Sequence, residues 1–301
     1  MRLLKEVINM ANTENFGITS DSQDTSLAAI IKQIVYLKAD AMLVFKDAIE
    51  MQGLPNLDYN VVLPESWYLQ ADEASEGARV DIKNLRFSEV KGSMRKYQVP
   101  IFLTDEITVR QIENSQMQLS LDGAAQGLAL KKDQEIRDAL YAGANQTQAA
   151  VDTWGANGAD PATDIANAIG KILSNTTLSD NEINQINFFY PAKLFGHTAK
   201  PLQIGDVQES LRSWVKREYS IGLYPTRQLD ALNTGIATVK TPRMGIHFTH
   251  DGSKIPGAEQ FRETGVGNGW LVSQYFKTVV FPFASGETKS NYICKVTGIS
   301  S

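Results

Sequence analysis

Apolar residues in the first part of the chain recur at helical spacing. In the stretch TSLAAIIKQIVYLKADAMLVFKDAIEMQG, residues 25–53, they are Leu27, Ile30, Ile31, Ile34, Phe45 and Ile49. Spacings of three and four place such side chains on one face of an α-helix. Thr25 or Ser26 can cap the start of this helix, and Gly53 can end it. We therefore predict an amphipathic helix here, preceded by a polar N-terminal arm.

Between residues 59 and 103 the periodicity changes to that of strands. In KYQVPIFL the apolar positions alternate strictly at Tyr97, Val99, Ile101 and Leu103. The alternation in RVDIKNLRFSEV changes phase near Asn84, which is typical of a bulge or a local twist. We predict an extended two-stranded arm over residues 59–103.

Charged residues are segregated along this arm. Acidic residues dominate its first half, at Asp72, Glu73, Glu76 and Asp81. Basic residues dominate its second half, at Lys83, Arg86, Lys91, Arg95 and Lys96. One interpretation is a solvated hairpin whose charges only keep it soluble. A lone hairpin is marginally stable in water, however, and segregated charge orients a surface on a complementary neighbour, so all of these residues except Asp81 are candidate inter-subunit contacts.

The longest helical pattern covers residues 104–143. Thr104 or Asp105 is a possible N-cap, and Gly143 ends a run that would be about 57 Å long if it were continuous. Gly123 and Gly127 weaken its middle. Its apolar stripe is narrow and consists of Met117, Leu121, Ala125, Leu128, Ile136 and Leu140. A narrow stripe predicts a strut that lies across a sheet and is exposed along much of its length.

The remaining pattern is mixed and predicts an α+β fold class. Residues 144–163 are rich in small and turn residues and indicate a loop. Helices are predicted in DIANAIGKIL and in DVQESLRSWVKREY, where Asp206 and Glu209 have capping-box spacing. Strands are predicted in INQINFFYP, GIATVKT, RMGIHFTH, GWLVSQYFKTVVFPF and NYICKVTGI.

Composition excludes several classes of protein. With 43% hydrophobic and 21% charged residues, the chain is expected to be globular, and it contains no apolar run of the roughly 20 residues that span a bilayer. Its start lacks the apolar core of a signal peptide, so an intracellular product is expected. The net charge of -5 argues against a protein that grips phosphate backbones, although a container wall that faces nucleic acid could benefit from weak binding.

Motifs for catalysis and for cofactor binding are missing from the sequence. It contains no phosphate loop, HExxH, nucleophile elbow or EF-hand pattern, so we predict no enzyme activity and no cofactor. His247, His250 and Asp251 could suggest a metal site, but residues three apart in a strand point to opposite faces, which favours ordinary strand and turn residues. GVGNG precedes a strand and not a helix, and is interpreted as a turn. The single cysteine, Cys294, is interpreted as a small buried hydrophobe.

The order of these parts resembles that of one protein family. The segments that are similar are YQVPIFLTDEI before the long helix, KKDQEIRDALYAG at its end, SIGLYPTRQL after the central lobe and TVVFPFA near the close. Together they resemble the major capsid proteins of tailed phages and tailed archaeal viruses, which have the Hong Kong 97-like fold that encapsulin nanocompartments share. The resemblance covers essentially the whole chain.

The resemblance implies five parts of an α+β capsid fold. They are an N-terminal arm and first helix (1–58), an extended loop with its strands (59–103), the spine helix of a peripheral domain (104–143), an axial domain (144–235) and strands that complete the peripheral domain (236–301). On this basis the extended loop reaches over a neighbouring subunit, and its charged residues set the register between subunits.

The resemblance also implies the partners. They are the chain itself, in pentamers and hexamers of an icosahedral lattice, together with a portal and with scaffold or decoration proteins. The shell would enclose double-stranded DNA without sequence-specific binding, would be assembled in the host cytoplasm and would form the virion, with no membrane. Because Met1 lies close to the fold, we expect a separate scaffold protein or none, and not a fused scaffolding segment.

Covalent crosslinking is known in some members of the family. They join the loop to an adjacent subunit through a lysine to asparagine bond, and Lys83, Lys91 and Lys96 lie in the matching loop. The sequence identifies neither the asparagine nor a catalytic acid, so it does not predict a crosslink.

Two other functions stay open at this point. An encapsulin-type nanocompartment would use the same subunit to enclose a cargo protein. A soluble α+β enzyme or binding module would instead be a monomer or small oligomer with a concave polar pocket.

Overall fold

Helices and strands are mixed along the part of the chain that the structure describes. This computed structural model describes residues 21–64, 87–104, 113–156, 159–199, 201–204, 207–250, 258–263, 267–282 and 289–300. The helices are α1 (Asp21–Met42), α2 (Glu113–Gly143), α3 (Pro161–Asn175), α4 (Asp180–Ile183), α5 (Phe195–Ala199) and α6 (Leu211–Tyr219). The strands are β1 (Glu50–Leu54), β2 (Asp58–Pro64), β3 (Phe87–Ser93), β4 (Arg95–Thr104), β5 (Ala144–Ala149), β6 (Ile186–Pro191), β7 (Pro201–Ile204), β8 (Val207–Ser210), β9 (Gly222–Thr226), β10 (Thr234–Val239), β11 (Gly245–His250), β12 (Ala258–Glu263), β13 (Gly267–Val280) and β14 (Ser290–Thr297).

The chain divides into two units. Unit 1 consists of Met1–Leu43, Arg95–Asp133 and His250–Phe276, and unit 2 of Val44–Met94, Gln134–Thr249 and Lys277–Ser301. Two long elements, α2 and β13, therefore contribute residues to both units.

Unit 1 combines helices with antiparallel strands. Trp270 of β13 is paired with Ile101 of β4 and also with Gln260 of β12, so β13 lies between those two strands. The buried cluster of this unit comes from α1, the first part of α2, β4 and β13, and consists of Ile31, Val35, Ala39, Leu43, Ile101, Leu121, Ala124, Ala125, Leu128, Ala129, Trp270, Val272 and Phe276. Leu121, Ala125 and Leu128 of the predicted α2 stripe are thus buried in unit 1, Ile136 and Leu140 are buried in the core of unit 2, and the side chain of Met117 lies outside the described residues.

A buried lysine joins α1 to α2. Lys132 of α2 is completely buried, and its Nζ donates to the Asp40 carboxylate of α1 at 2.5 Å. The same Nζ lies 5.9 Å from the centre of the Phe276 ring. Burial lowers the pKa of Lys132, and the negative charge of Asp40 opposes that change. The contact holds α1 on α2, because the completely buried Lys132 ammonium would lose its hydrogen-bonded carboxylate if Asp40 moved away, whereas the half-exposed Asp40 could be hydrated.

Unit 2 is built on a five-stranded mixed sheet. Its strand order is β5-β14-β10-β6-β9, with β5 parallel to β14, β6 parallel to β9, and the other neighbours antiparallel. Every residue of β10 is buried, as expected for a central strand that is covered on both faces. Helix α3 packs on β14 and β5 through a stripe that consists of Ile165, Ala168, Ile169 and Ile172.

Three predicted helices differ in extent from the structure. The helix predicted over 104–143 is described from Glu113 to Gly143, and its candidate N-cap Thr104 is the last residue of β4. The first helix ends at Met42, a short 3-10 helix follows at Phe45–Asp47, and Gly53 lies inside β1. Phe45 and Ile49 are apolar because both are buried in the core of unit 2, and their spacing matched the helical period. Both residues lie after the end of the helix. The predicted helix over 206–219 begins at Leu211, where Ser210 Oγ accepts from the Ser213 backbone N–H, and Glu209 lies in β8. The predicted partner of that capping box, Asp206, lies outside the described residues.

The prediction of a loop over residues 144–163 is wrong at its start. Ala144–Ala149 forms β5, which pairs in parallel with β14. Its sequence ANQTQA is polar because the strand lies at the end of the sheet, where alternate side chains face solvent. β12 was also missed, because its sequence AEQFRE has almost no apolar residues.

Glu182 on α4 gives the fold a predicted dependence on pH. Its carboxylate accepts from the Ser179 backbone N–H at 3.0 Å, the Ser179 hydroxyl at 2.8 Å and the Thr241 hydroxyl at 3.0 Å, and Arg243 lies 3.5 Å away. Burial raises the pKa of Glu182, but these hydrogen bonds and the Arg243 charge outweigh burial and lower the pKa below its ordinary value of 4.5.

The folded protein therefore binds this proton less readily than the unfolded chain does. The resulting stabilisation is fully present above the unfolded pKa and is lost as pH falls through the folded pKa. We expect Glu182→Gln to lower the free energy of unfolding by about 1 kcal/mol at neutral pH, and by less near pH 3. Urea unfolding across this pH range measures the difference. Thr241→Val, which removes one donor, should give a smaller change of the same sign. If the free energy of unfolding falls equally with decreasing pH in Glu182→Gln and in the natural chain, the lowered pKa of Glu182 does not stabilise the fold.

Candidate assembly surfaces

Strands β2 and β3 form a two-stranded ribbon. They pair antiparallel from Asp58↔Ser93 to Pro64↔Phe87 and form a sheet of their own among the described residues. One face is apolar and carries Tyr59, Val61, Leu63 and Val90. The other face carries Asp58, Asn60, Glu89, Lys91 and Ser93 together with Val62, whose side chain is 52% exposed. This ribbon corresponds to residues 59–64 and 87–93 of the predicted two-stranded arm, and the residues between these two segments lie outside the described residues.

The base of the ribbon is held by an aromatic stack. The Tyr59 ring stacks on the Phe248 ring of β11, with centroids 5.0 Å apart and planes 9° apart. Ser93 Oγ donates to Asp58 at 2.6 Å, and the Met94 N–H donates to the Leu57 carbonyl at 2.8 Å. Burial, and then the charge of Glu135, raise the pKa of the Tyr59 hydroxyl.

A glycine makes this stack possible. Gly92 lies directly across the ribbon from Tyr59, and a Cβ at that position would lie 2.2 Å from the Tyr59 hydroxyl oxygen. The ring of Tyr59 therefore occupies the space that a side chain at position 92 would need. Neither residue was predicted from the sequence, because a glycine opposite an aromatic residue can be recognised only when the strand register is known.

The structure distributes the predicted contact residues over different elements. Asp72, Glu73, Glu76, Lys83 and Arg86 lie outside the described residues. Lys91 lies on the polar face of β3, where its exposed side chain forms an ion pair with Glu89 of the same strand. Arg95 and Lys96 are exposed on β4. The prediction that strand 97–103 belongs to the two-stranded arm is wrong, because β4 pairs with β13 over ten residues, from Thr104↔Gly267 to Arg95↔Phe276.

Helix α2 presents an exposed face with two glycines. Leu119 and Leu130 on this helix are 70% and 50% exposed. A Cβ on Gly123 would meet nothing within 4 Å, and one on Gly127 would meet only Val99, at 3.9 Å. Because a glycine in an exposed helix interior costs about 1 kcal/mol relative to alanine, packing against the described residues does not account for these two glycines.

The described residues offer little catalytic chemistry. Among them, no group of three His, Cys, Asp or Glu side chains could hold a metal ion. His247 is buried with its Nδ1 2.8 Å from Thr278 Oγ1, and Asp251 lies outside the described residues. Cys294 is completely buried, as the sequence predicted, and burial raises its thiol pKa to about 11. No helix in the described ranges is both long enough and apolar enough to cross a membrane.

Solved structures with a similar fold include a virus-like particle, a phage capsid and a phage-related protein. No protein-family profile matches the chain, and no curated protein matches it in sequence. The structure is similar to a virus-like particle from Pyrococcus furiosus, with a TM-score of 0.62 and 10% identity over 92% of this chain and 100% of that chain. It is similar to the capsid of Myoviridae phage XM1, with a TM-score of 0.56 and 11% identity over 83% of this chain and 89% of that chain. It is also similar to a phage-related protein from Bordetella bronchiseptica RB50, with a TM-score of 0.59 and 11% identity over 89% of this chain and 96% of that chain.

These comparisons establish the fold. The chain has the mixed helix and strand architecture of Hong Kong 97-like capsid proteins, and the fold predicted from the order of its elements is confirmed.

Proposed function

We propose that this chain is the major capsid protein of a tailed virus and that it self-assembles into an icosahedral shell around double-stranded DNA. The observation that supports this most strongly is the likeness to the XM1 phage capsid, which extends over 83% of this chain and 89% of that one. A likeness over almost the full length of both chains favours a shared role as a shell subunit over a shared domain within a different protein.

The ribbon supports self-association. Two strands alone are marginally stable in water, so a ribbon with an apolar face gains stability when it lies on another surface. Half-buried Val61 and Val90 face each other across this ribbon, and a neighbouring copy would cover them further. Each such contact adds little binding free energy, but a closed lattice repeats the contact in every subunit.

Charged residues would set the register between copies. We propose Asp72, Glu73, Glu76, Lys83, Arg86, Lys91, Arg95 and Lys96 as inter-subunit contacts. The ion pair of Lys91 with Glu89 is solvent-exposed and therefore weak, so Lys91 can exchange Glu89 for an acidic residue of a neighbour at little cost.

The remaining parts of the proposal follow from the same role. Subunits would gather as pentamers and hexamers, a portal and scaffold or decoration proteins would join them, and assembly would take place in the host cytoplasm. The net charge of -5 suits a wall that encloses DNA without binding it tightly.

A protein-filled nanocompartment is the second candidate. It is favoured by the likeness to the Pyrococcus furiosus virus-like particle, whose whole chain is matched. The contents of purified particles would distinguish the two functions, because nucleic acid and protein cargo differ in absorbance ratio and in mass spectra.

The test is electron microscopy of the protein expressed alone, together with its elution from a sizing column. We expect hollow closed shells, or rings and sheets of five and six subunits. A uniform monomer or dimer at all protein and salt concentrations would contradict self-assembly of the chain alone. It would favour a soluble α+β enzyme or binding module, and a ligand screen would follow.

A matched pair of variants tests the ribbon within this function. Tyr59→Ala removes the stack on Phe248, whereas Tyr59→Phe keeps the ring and removes only the hydroxyl. We expect the alanine variant to give smaller oligomers and the phenylalanine variant to give the same particles as the natural chain. Thermal unfolding serves as the check that both variants fold. Normal shells from a folded Tyr59→Ala protein would contradict a role of the ribbon in assembly.

A further inference from the structure

Among the described residues, strand β5 has an edge with no partner strand. It stands at the end of the sheet order β5-β14-β10-β6-β9 and pairs with β14 on one side. Edge strands present unpaired N–H and C=O groups, which are templates for the addition of another strand.

The hydrogen bonds of the next residue show which groups of β5 face this open side. The Ala150 N–H donates to the carbonyl of Thr297, the last residue of β14, at 2.9 Å. In a parallel pair the N–H and C=O of one residue point to the same side, and successive residues alternate. Gln148 therefore faces β14 as Ala150 does, whereas the backbone groups of Thr147 and Ala149 face away from it.

The carbonyls of Thr147 and Ala149 are already occupied by side chains. Lys171 Nζ, on α3, donates to the Thr147 carbonyl at 2.7 Å. Gln148 Nε2 donates to the Ala149 carbonyl at 2.8 Å. Lys171 can reach this position because α3 packs against β5 and β14, so its side chain extends over the rim of the sheet.

We propose that Lys171 closes the outer edge of β5 against strand addition by a second copy of this chain. An added strand would have to displace the ammonium group from the Thr147 carbonyl. Two copies that met edge to edge about a two-fold axis would in addition bring two Lys171 charges together. The closed edge directs self-association to other surfaces. The inference does not rest on the proposed shell function, because it concerns one edge in any oligomeric state.

Lys171→Met and Lys171→Arg are the matched variants for the test. Methionine keeps an unbranched side chain without charge or donor, and arginine keeps both. We expect the methionine variant to associate through β-structure about tenfold more tightly than the natural chain, since the displaced charge-assisted hydrogen bond is lost. The arginine variant should behave as the natural chain does. Light scattering over a concentration series, with the intermolecular β band in the infrared spectrum, measures this.

A proline substitution then identifies the edge. Thr147→Pro removes an N–H that faces away from β14, so it blocks strand addition and preserves the pairing within the sheet. In the Lys171→Met background it should restore the behaviour of the natural chain, and Ala149→Pro replaces it if that double variant does not fold. Equal association of Lys171→Met and Lys171→Arg would overturn the proposal. So would excess association that persists in a folded double variant. Neither result depends on whether the natural chain forms closed shells.

Discussion

Replacing Gly245 with alanine is expected to lower the free energy of unfolding by about 3 kcal/mol, which is the cost of overpacking where nothing can relax. Gly245 begins β11, which lies next to β13. A Cβ at this position would lie 2.4 Å from the Val279 carbonyl oxygen and 3.0 Å from the Val280 Cα. These are backbone atoms, and the Phe281 N–H bond to the Met244 carbonyl, at 2.8 Å, holds the two segments together.

Gly53→Ala is the matched control for this prediction. Gly53 also lies in a strand, but a Cβ there would meet nothing within 4 Å. We expect its effect to be within about 0.5 kcal/mol of zero. Urea unfolding of the two variants and the natural chain measures the difference. If both variants unfold at the same urea concentration, the close backbone approach at Gly245 is not a determinant of stability.

The second large effect is expected at Asp164, in the first turn of α3. Its side chain is completely buried. One carboxyl oxygen accepts from the Val151 N–H at 2.9 Å, and the other accepts from the Trp154 indole N–H at 2.9 Å. This single residue therefore fixes the segment between β5 and α3 on the core of unit 2. Asp164→Ala would leave both donors without an acceptor, and we expect a loss of about 3 kcal/mol.

Asp160→Ala is the control that distinguishes the buried contacts of Asp164 from helix capping, because Asp160 is the N-cap of the same helix. Asp160 is exposed and accepts from the Thr163 N–H at 3.1 Å, so its removal should cost only about 1 kcal/mol. Asp164→Asn keeps one acceptor and should have an intermediate effect. Because Trp154 donates directly to Asp164, its fluorescence should change in Asp164→Ala and not in Asp160→Ala. Equal stability losses for the two alanine variants would show that the buried contacts contribute nothing beyond a cap.

Local periodicity predicted the helices and strands that bury one continuous face of the element against the core. The described side chains of the α2 stripe are buried, and α3 packs through the apolar residues of DIANAIGKIL. The alternation in KYQVPIFL predicted β4 correctly as a strand. In each case the pattern is strong because burial acts on a helix face or a strand face as a whole.

The candidate site could be predicted only in part. Segregated charge indicated that the arm contacts another surface, but it did not show that Lys91 lies in a ribbon while Arg95 and Lys96 lie in a different sheet. Tyr59 and Gly92 were not predicted, because their relation depends on a register of two strands that are far apart in the chain. The closed edge of β5 likewise depends on a lysine 24 residues from the carbonyl that it covers.

The sequence by itself determined the kinds of most elements and their order, and the fold was predicted from the resemblance of that order to Hong Kong 97-like capsid proteins. The elements could be predicted because the periods of helices and strands, and the residues that end them, are local properties of the chain. Only the tertiary structure decided that polar ANQTQA forms a strand, that β4 joins β13, and that Gly245 must have no side chain. These features arise where distant segments meet. Hydrogen-bond partners and free space at such places are set by the whole fold and leave no periodic signal in the sequence.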